Sequence, residues 1–223
     1  MFIGHFAVAL GAKRVAPKAS LGTLVFSAQF LDLLWPILVL LGAEHVRIDP
    51  GNTAVTPLDF YDYPISHSLV TSIVWSLLVG SIYFAIRRDR STAVILGGVV
   101  FSHWLLDFLT HRPDLPIVPG GSTLVGLGLW NSVVWTVIVE SLMFIAGVAL
   151  YAKTTVSRGK TGGFGLWLFV AFLISIYLGN VFGPPPPSEN VIAISGLGIW
   201  LLVMWAYWID RNRMVHQSFQ ENP

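Results

Sequence analysis

The sequence predicts an all-α, polytopic membrane helix bundle of about six transmembrane helices with a short N-terminal half-helix, and three observations predict it. Of its 223 residues, 54% are hydrophobic and 11% charged, with a mean hydropathy of +0.70, which leaves too little polar surface for a water-soluble domain. Six apolar runs have the roughly 20 residues needed to cross a hydrocarbon core. The basic residues sort by loop, as they do in helical membrane chains of fixed orientation.

Taken in order, Phe2 to Ala12 is apolar but too short to span, so it reads as a half-helix or re-entrant segment packed on the first span. The first span, 21–42, carries Asp32 near its middle and Pro36 four residues on. Proline has no N–H to give the Asp32 carbonyl, so a kink is expected at Pro36. The second span, 66–86, opens on Ser66-His67-Ser68, and the third, 92–110, holds His103 and Asp107. The fourth, 130–151, has Glu140 midway; the fifth covers 164–183 and the sixth 191–209, joined by the stiff Pro184–Pro187 run. No polar stretch is long enough to fold separately and no internal repeat is evident, so 1–223 reads as one integral membrane domain.

Lys13, Arg14 and Lys18 precede the first span, Arg87, Arg88 and Arg90 follow the second, Lys153, Arg158 and Lys160 the fourth, and Arg211 and Arg213 the sixth. Eleven of the 13 basic residues thus fall on one side, and the positive-inside rule puts both chain ends in the cytoplasm. The opposite loops are acidic, with Glu44, Asp49, Asp59, Asp62, Asp114 and Glu189. Basic residues follow the first apolar stretch instead of preceding it, so no cleavable signal peptide is expected. A net charge of +1 offers no general attraction to nucleic acid, and the chain contains no nucleic-acid motif. The absence of cysteine excludes disulfides and thiolate chemistry, so any metal site must be built from His, Asp and Glu.

In the third span, His103, Asp107 and His111 recur at i, i+4 and i+8, on one helical face. Imidazole with carboxylate suits zinc, manganese or iron. A charge at that depth costs roughly 2.5–3.5 kcal/mol even on lenient insertion scales, so Asp107 needs a partner. The plainer alternative is a His–Asp hydrogen bond that tightens the bundle. His67, at the mouth of the second span, reads equally as ligand or interfacial anchor, and Asp32 as ligand or packing hydrogen bond. His5 would come alongside Asp32 if Phe2 to Ala12 folds back as a hairpin. Glu140 has no partner at ligand spacing, and Arg112-Pro113-Asp114 could bind an anion or form an interfacial salt bridge.

His5, Asp32 before Pro36, Ser66-His67-Ser68-Leu69, and His103-Trp104-Leu105-Leu106-Asp107 followed by Thr110-His111 together resemble the bacterial membrane-bound metal-dependent hydrolase family, which includes a LexA-regulated inner-membrane member. The resemblance covers residues 1 to about 116, leaving 117–223 as additional transmembrane helices without a known motif. It implies an inner-membrane location, a His/Asp metal site and hydrolysis, with a distant similarity to the all-helical phospholipase C and nuclease superfamily. By position it nominates His5, Asp32, His67, His103 and Asp107, while His111 and Arg112 belong to an extension associated with close relatives.

The expected activity is therefore hydrolysis of a lipid or other amphiphile, phosphoesters included, at the outer membrane–water interface. A divalent metal, zinc first and manganese or iron next, would be held by His67, His103 and Asp107 with His5, Asp32 and His111 as further ligands. Asp32 or Asp62 would act as general base and Arg112 would steady an anionic leaving group. The alternatives are a proton- or cation-coupled transporter using the same groups as a relay, and a non-catalytic scaffold.

Overall fold

The computed structural model describes residues 1–217 and is mostly helical. Helix α1 (Phe2–Ala12) spans about 16 Å and is buried nearly all round, as an apolar helix without a polar stripe must be. It packs between α2 (Leu21–Ala28), α6 (Arg90–Thr110) and α7 (Val133–Thr154). Its contact with α7 is at backbone level: a Cβ added at Gly147 would lie 2.4 Å from the Ala7 carbonyl oxygen.

The expected kink at Pro36 is corrected. The chain breaks at Gln29, and α3 (Phe30–Leu40) leaves α2 at 56°, with Pro36 lying inside α3. The Pro36 ring instead seats against Gly196 of α9 (Glu189–Gly196), where any side chain would collide with it. The break has a tertiary cause: the Ala28 carbonyl, one of the helix-end acceptors left without an intrahelical partner, is taken by His103.

An antiparallel pair, β1 (His45–Ile48) and β2 (Leu58–Asp62), leads into the single turn α4 (Pro64–His67), and Ser68 then caps α5 (Leu69–Arg87). Helices α5 and α6 form a close hairpin, in which Cβ atoms at Gly80 and Gly97 would fall 3.0 and 3.1 Å from the facing carbonyl oxygens. After α6 come the short pair β3 (Leu115–Pro116) and β4 (Leu124–Val125), then α7, β5 (Thr155–Ser157) and α8 (Lys160–Phe182). The last span, Glu189–Arg211, is divided at Leu197–Gly198 into α9 and α10 (Ile199–Arg211), and β6 (Arg213–Val215) pairs with β5.

Among the described residues five helices are long and apolar enough to cross a membrane, or six if the bent pair α2–α3 is one span. Leu77, Val134, Leu142 and Phe164 are among the large apolar side chains left exposed along them, a belt suited to lipid. This is a multi-pass membrane protein. Its two ends differ: one gathers the α1–α2 turn, the β5–β6 pair and the end of α10, and is called the basic face below. The other, the loop face, gathers 43–65 and 111–130 through bonds such as Val55 N–H to the Trp130 carbonyl.

Candidate metal centre

Helix α6 presents His103 and Asp107 one turn apart, with His103 Nε2 3.1 Å from Asp107 Oδ2. Asp32, on the first turn of α3 after the 56° break, brings Oδ1 to 3.7 Å from His103 Nε2 and 3.6 Å from His67 Nε2. His67, closing α4, lies 3.7 Å from Asp107 Oδ2. His5 arrives from α1, its Nε2 3.1 Å from Asp107 Oδ1 and its ring stacked on His103 at 3.6 Å and 4°. The Met1 backbone nitrogen is 2.6 Å from that same oxygen, so Oδ2 is the one turned toward His67 and His103.

Two anchors fix the imidazoles. His103 Nδ1 donates to the Ala28 carbonyl at 2.7 Å, which leaves Nε2 as a lone pair facing the cluster. His67 Nδ1 lies 2.6 Å from Ser66 Oγ, and that hydroxyl donates to Glu44 Oε2 at 2.6 Å, so Ser66 accepts from Nδ1–H and His67 Nε2 is likewise bare. Glu44, fully buried, also accepts the Ile65 and Ser66 N–H groups at 2.7 Å each, holding the α4 turn in place. These tautomers follow from the partners available to each ring nitrogen.

The donor set fits a divalent metal. Asp32, His67 and His103 each bring one ligand atom within 4.8 Å of the others, and Asp107 Oδ2 lies 3.1 Å from His103 Nε2 and 3.7 Å from His67 Nε2. Two imidazoles with two carboxylates are the hard-to-borderline set that zinc, manganese and iron accept. His5, His103 and Asp107 make a second close triad that shares His103.

Of the other nominated residues, His111 and Glu140 line a cavity beside the cluster without joining it, and Arg112 and Asp62 take other partners. His111 leaves the helical face because α6 ends at Thr110: its own backbone is extended, φ −66° and ψ 148°. Its Nδ1 sits 3.0 Å from Asp114 Oδ1, and its ring packs on Trp130. Tyr63 donates to that Asp114 oxygen at 2.9 Å; burial, and then the Asp114 charge, push its hydroxyl well above the usual range, so it remains a donor. Arg112 is tied to Asp59 and Asp114. Asp62, on the exposed β1–β2 pair, bonds His45 Nδ1 at 2.6 Å, away from the cluster. Glu140 finds a partner across the bundle, Gly4 N–H at 3.4 Å, and so caps the start of α1.

A cavity of about 1030 Å³ opens beside Asp32, His67 and Asp107. Its far wall is apolar, with Phe172 and Ile176 from α8, Val191 from α9, and Ile199, Leu202 and Trp205 from α10. Among the described residues, no Lys or Arg side chain lines it. Asp32, at 30% side-chain exposure, is the most open of the cluster members that line this space; the other four are almost fully buried. Comparison with protein-family models, with curated proteins and with solved structures gives no match for this chain.

Proposed function

We propose that the protein is a membrane-embedded, metal-dependent hydrolase acting on a neutral amphiphile, an ester or amide with a long apolar chain. The observation that carries this reading is the approach of His67 Nε2, His103 Nε2 and Asp107 Oδ2, from α4 and α6, beside a largely apolar cavity, with the Asp32 carboxylate of α3 next to them. A divalent ion bound there, zinc in the first instance, would polarise a carbonyl and lower the pKa of a water from 15.7 toward about 7. His67 and His103 would hold it through Nε2 and Asp107 through Oδ2, while His5 and the Met1 nitrogen keep Asp107 oriented from the other oxygen. Asp32, the more exposed of the two cluster carboxylates at the cavity, would accept the proton of the attacking water. As the acyl–oxygen or acyl–nitrogen bond breaks, Asp32 returns that proton to the leaving group.

Charge favours a neutral substrate over a phosphoester in this reading. Asp32 and Asp107 together would balance a divalent ion, and among the described residues no Lys or Arg side chain lines the cavity to meet a further negative charge. Arg112, paired with Asp59 and Asp114, has no part in this reading. The concentration of cations at the basic face favours an orientation with both termini in the cytoplasm of a bacterial inner membrane and the site facing outward.

The test is elemental analysis of detergent-purified protein, with turnover of a long-chain neutral ester measured in parallel. Wild type should carry one metal per chain, lost in His103→Ala and Asp107→Ala. Asp32→Asn should keep metal but lose turnover by about 10²–10⁴-fold. Folded wild type that takes up no zinc, manganese or iron when each is supplied would overturn the proposal.

A further inference from the structure

At the end of the bundle opposite the loops, a small cleft of about 240 Å³ is lined by Lys13 and Lys18 of the α1–α2 turn, Thr155 and Arg158 from β5 and the turn after it, Asp210 near the end of α10, and Arg213 of β6. Four cations surround one carboxylate. Lys13 is accounted for, since its Nζ donates to Asp210 Oδ1 at 2.8 Å and to the Ala19 carbonyl at 2.7 Å. Among the described residues, no carboxylate lies within ion-pair distance of Lys18, Arg158 or Arg213.

Arg213 is held rigidly. Its Nε and Nη2 donate to the Thr155 hydroxyl and carbonyl at 2.9 Å each, Nη1 donates to the Gly162 carbonyl at 3.2 Å, and the guanidinium lies 5.6 Å from the centre of the Tyr151 ring. That spends part of its five-donor fork and leaves the rest for an acceptor in the cleft.

Charges that only orient a chain need do no more than lie near the ends of its spans. Here Lys13 is 4% and Arg213 8% exposed, and the four cations come from three distant segments to surround one space. Burying the Arg213 cation without an anion is costly, and a phosphate, with several strong acceptors and at least one negative charge, offsets that cost. We propose that this cleft binds a phosphate group, supplied by the headgroup of an anionic lipid in the adjoining leaflet or by free phosphate; basic pockets between membrane helices are suited to such headgroups.

The experiment uses the full chain in nanodiscs and in detergent. Preference for phosphatidylglycerol over phosphatidylcholine is read by native mass spectrometry, and binding of inorganic phosphate by calorimetry. Wild type should prefer phosphatidylglycerol at least tenfold or bind inorganic phosphate directly. The first result alone assigns a lipid headgroup, and the second a free anion; either supports the site. The double variant Lys18→Gln/Arg158→Gln changes two exposed side chains and should abolish the binding with metal content unchanged. Arg87→Gln/Arg90→Gln removes the same charge from the same end, outside the cleft, and should retain it. Absence of both kinds of binding in wild type, retention in the first double variant, or equal loss in both variants would overturn the proposal.

Discussion

At the scale of single residues, the centre depends on groups that are not themselves donors to it but decide which ring nitrogen faces it. Ser66 is the clearest case, because its hydroxyl links His67 Nδ1 to the buried Glu44 carboxylate. Ser66→Ala should keep the fold, measured by helicity, yet weaken zinc binding by about 10–100-fold in a chelator competition, the usual effect of losing an orienting partner. His111→Ala makes the opposite prediction: metal content should be unchanged, since the His111 ring pairs with Asp114 and lies outside the cluster. Loss of metal in that variant would sink the assignment of donors given above. His111 also shows why spacing misleads at a helix end: an i+8 position shares a face only while the helix lasts, and α6 stops at Thr110.

At the scale of elements, the half-helix α1 brings His5 into the centre only because α7 lets it approach closely. Gly147→Val would place a side chain where the Ala7 backbone lies, so α1 must move outward. A destabilisation of about 1–3 kcal/mol is expected for such overpacking, seen as a lower thermal midpoint together with weaker metal binding. Gly98→Val, in open space on α6, should change neither, and equal damage from both substitutions would show that α1 packing is not the cause. The break at Gln29 predicts that Pro36→Ala leaves the α2–α3 bend intact; distance measurements between spin labels on the two helices would detect any straightening.

At the scale of the whole molecule, orientation and substrate access belong together, because the cavity and the loop face lie at the end away from most of the cations. The chain has no cysteine, so each one introduced is unique. A membrane-impermeant maleimide added to intact cells should label Tyr61→Cys, on the exposed β2 strand, and spare Ser91→Cys, at the start of α6 near the basic face. The reverse pattern would invert the proposed topology. With purified protein, kcat/KM for neutral esters should rise with acyl chain length as the chain fills the wall formed by α8, α9 and α10, and a phosphodiester of equal length should be turned over far more slowly.

Composition, span length and loop charge are local properties, and they sufficed to read a helical, multi-pass membrane chain with a short apolar helix at its start. The pair His103 and Asp107 was legible for the same reason, as i and i+4 on one helix need only local geometry. His5, Asp32 and His67 could be nominated from their types and positions, but their meeting required three further elements to pack around α6. Nothing in the sequence marked Glu44, 22 residues before Ser66, or the Ala28 carbonyl, 75 residues from His103. Tertiary structure also moved the kink from Pro36 to Gln29 and drew Arg112 and Asp62 into other partnerships. The physical reason is that apolar burial follows from residue type alone, whereas a hydrogen bond or ion pair needs a partner within about 3 Å, and only the folded chain determines which groups come that close.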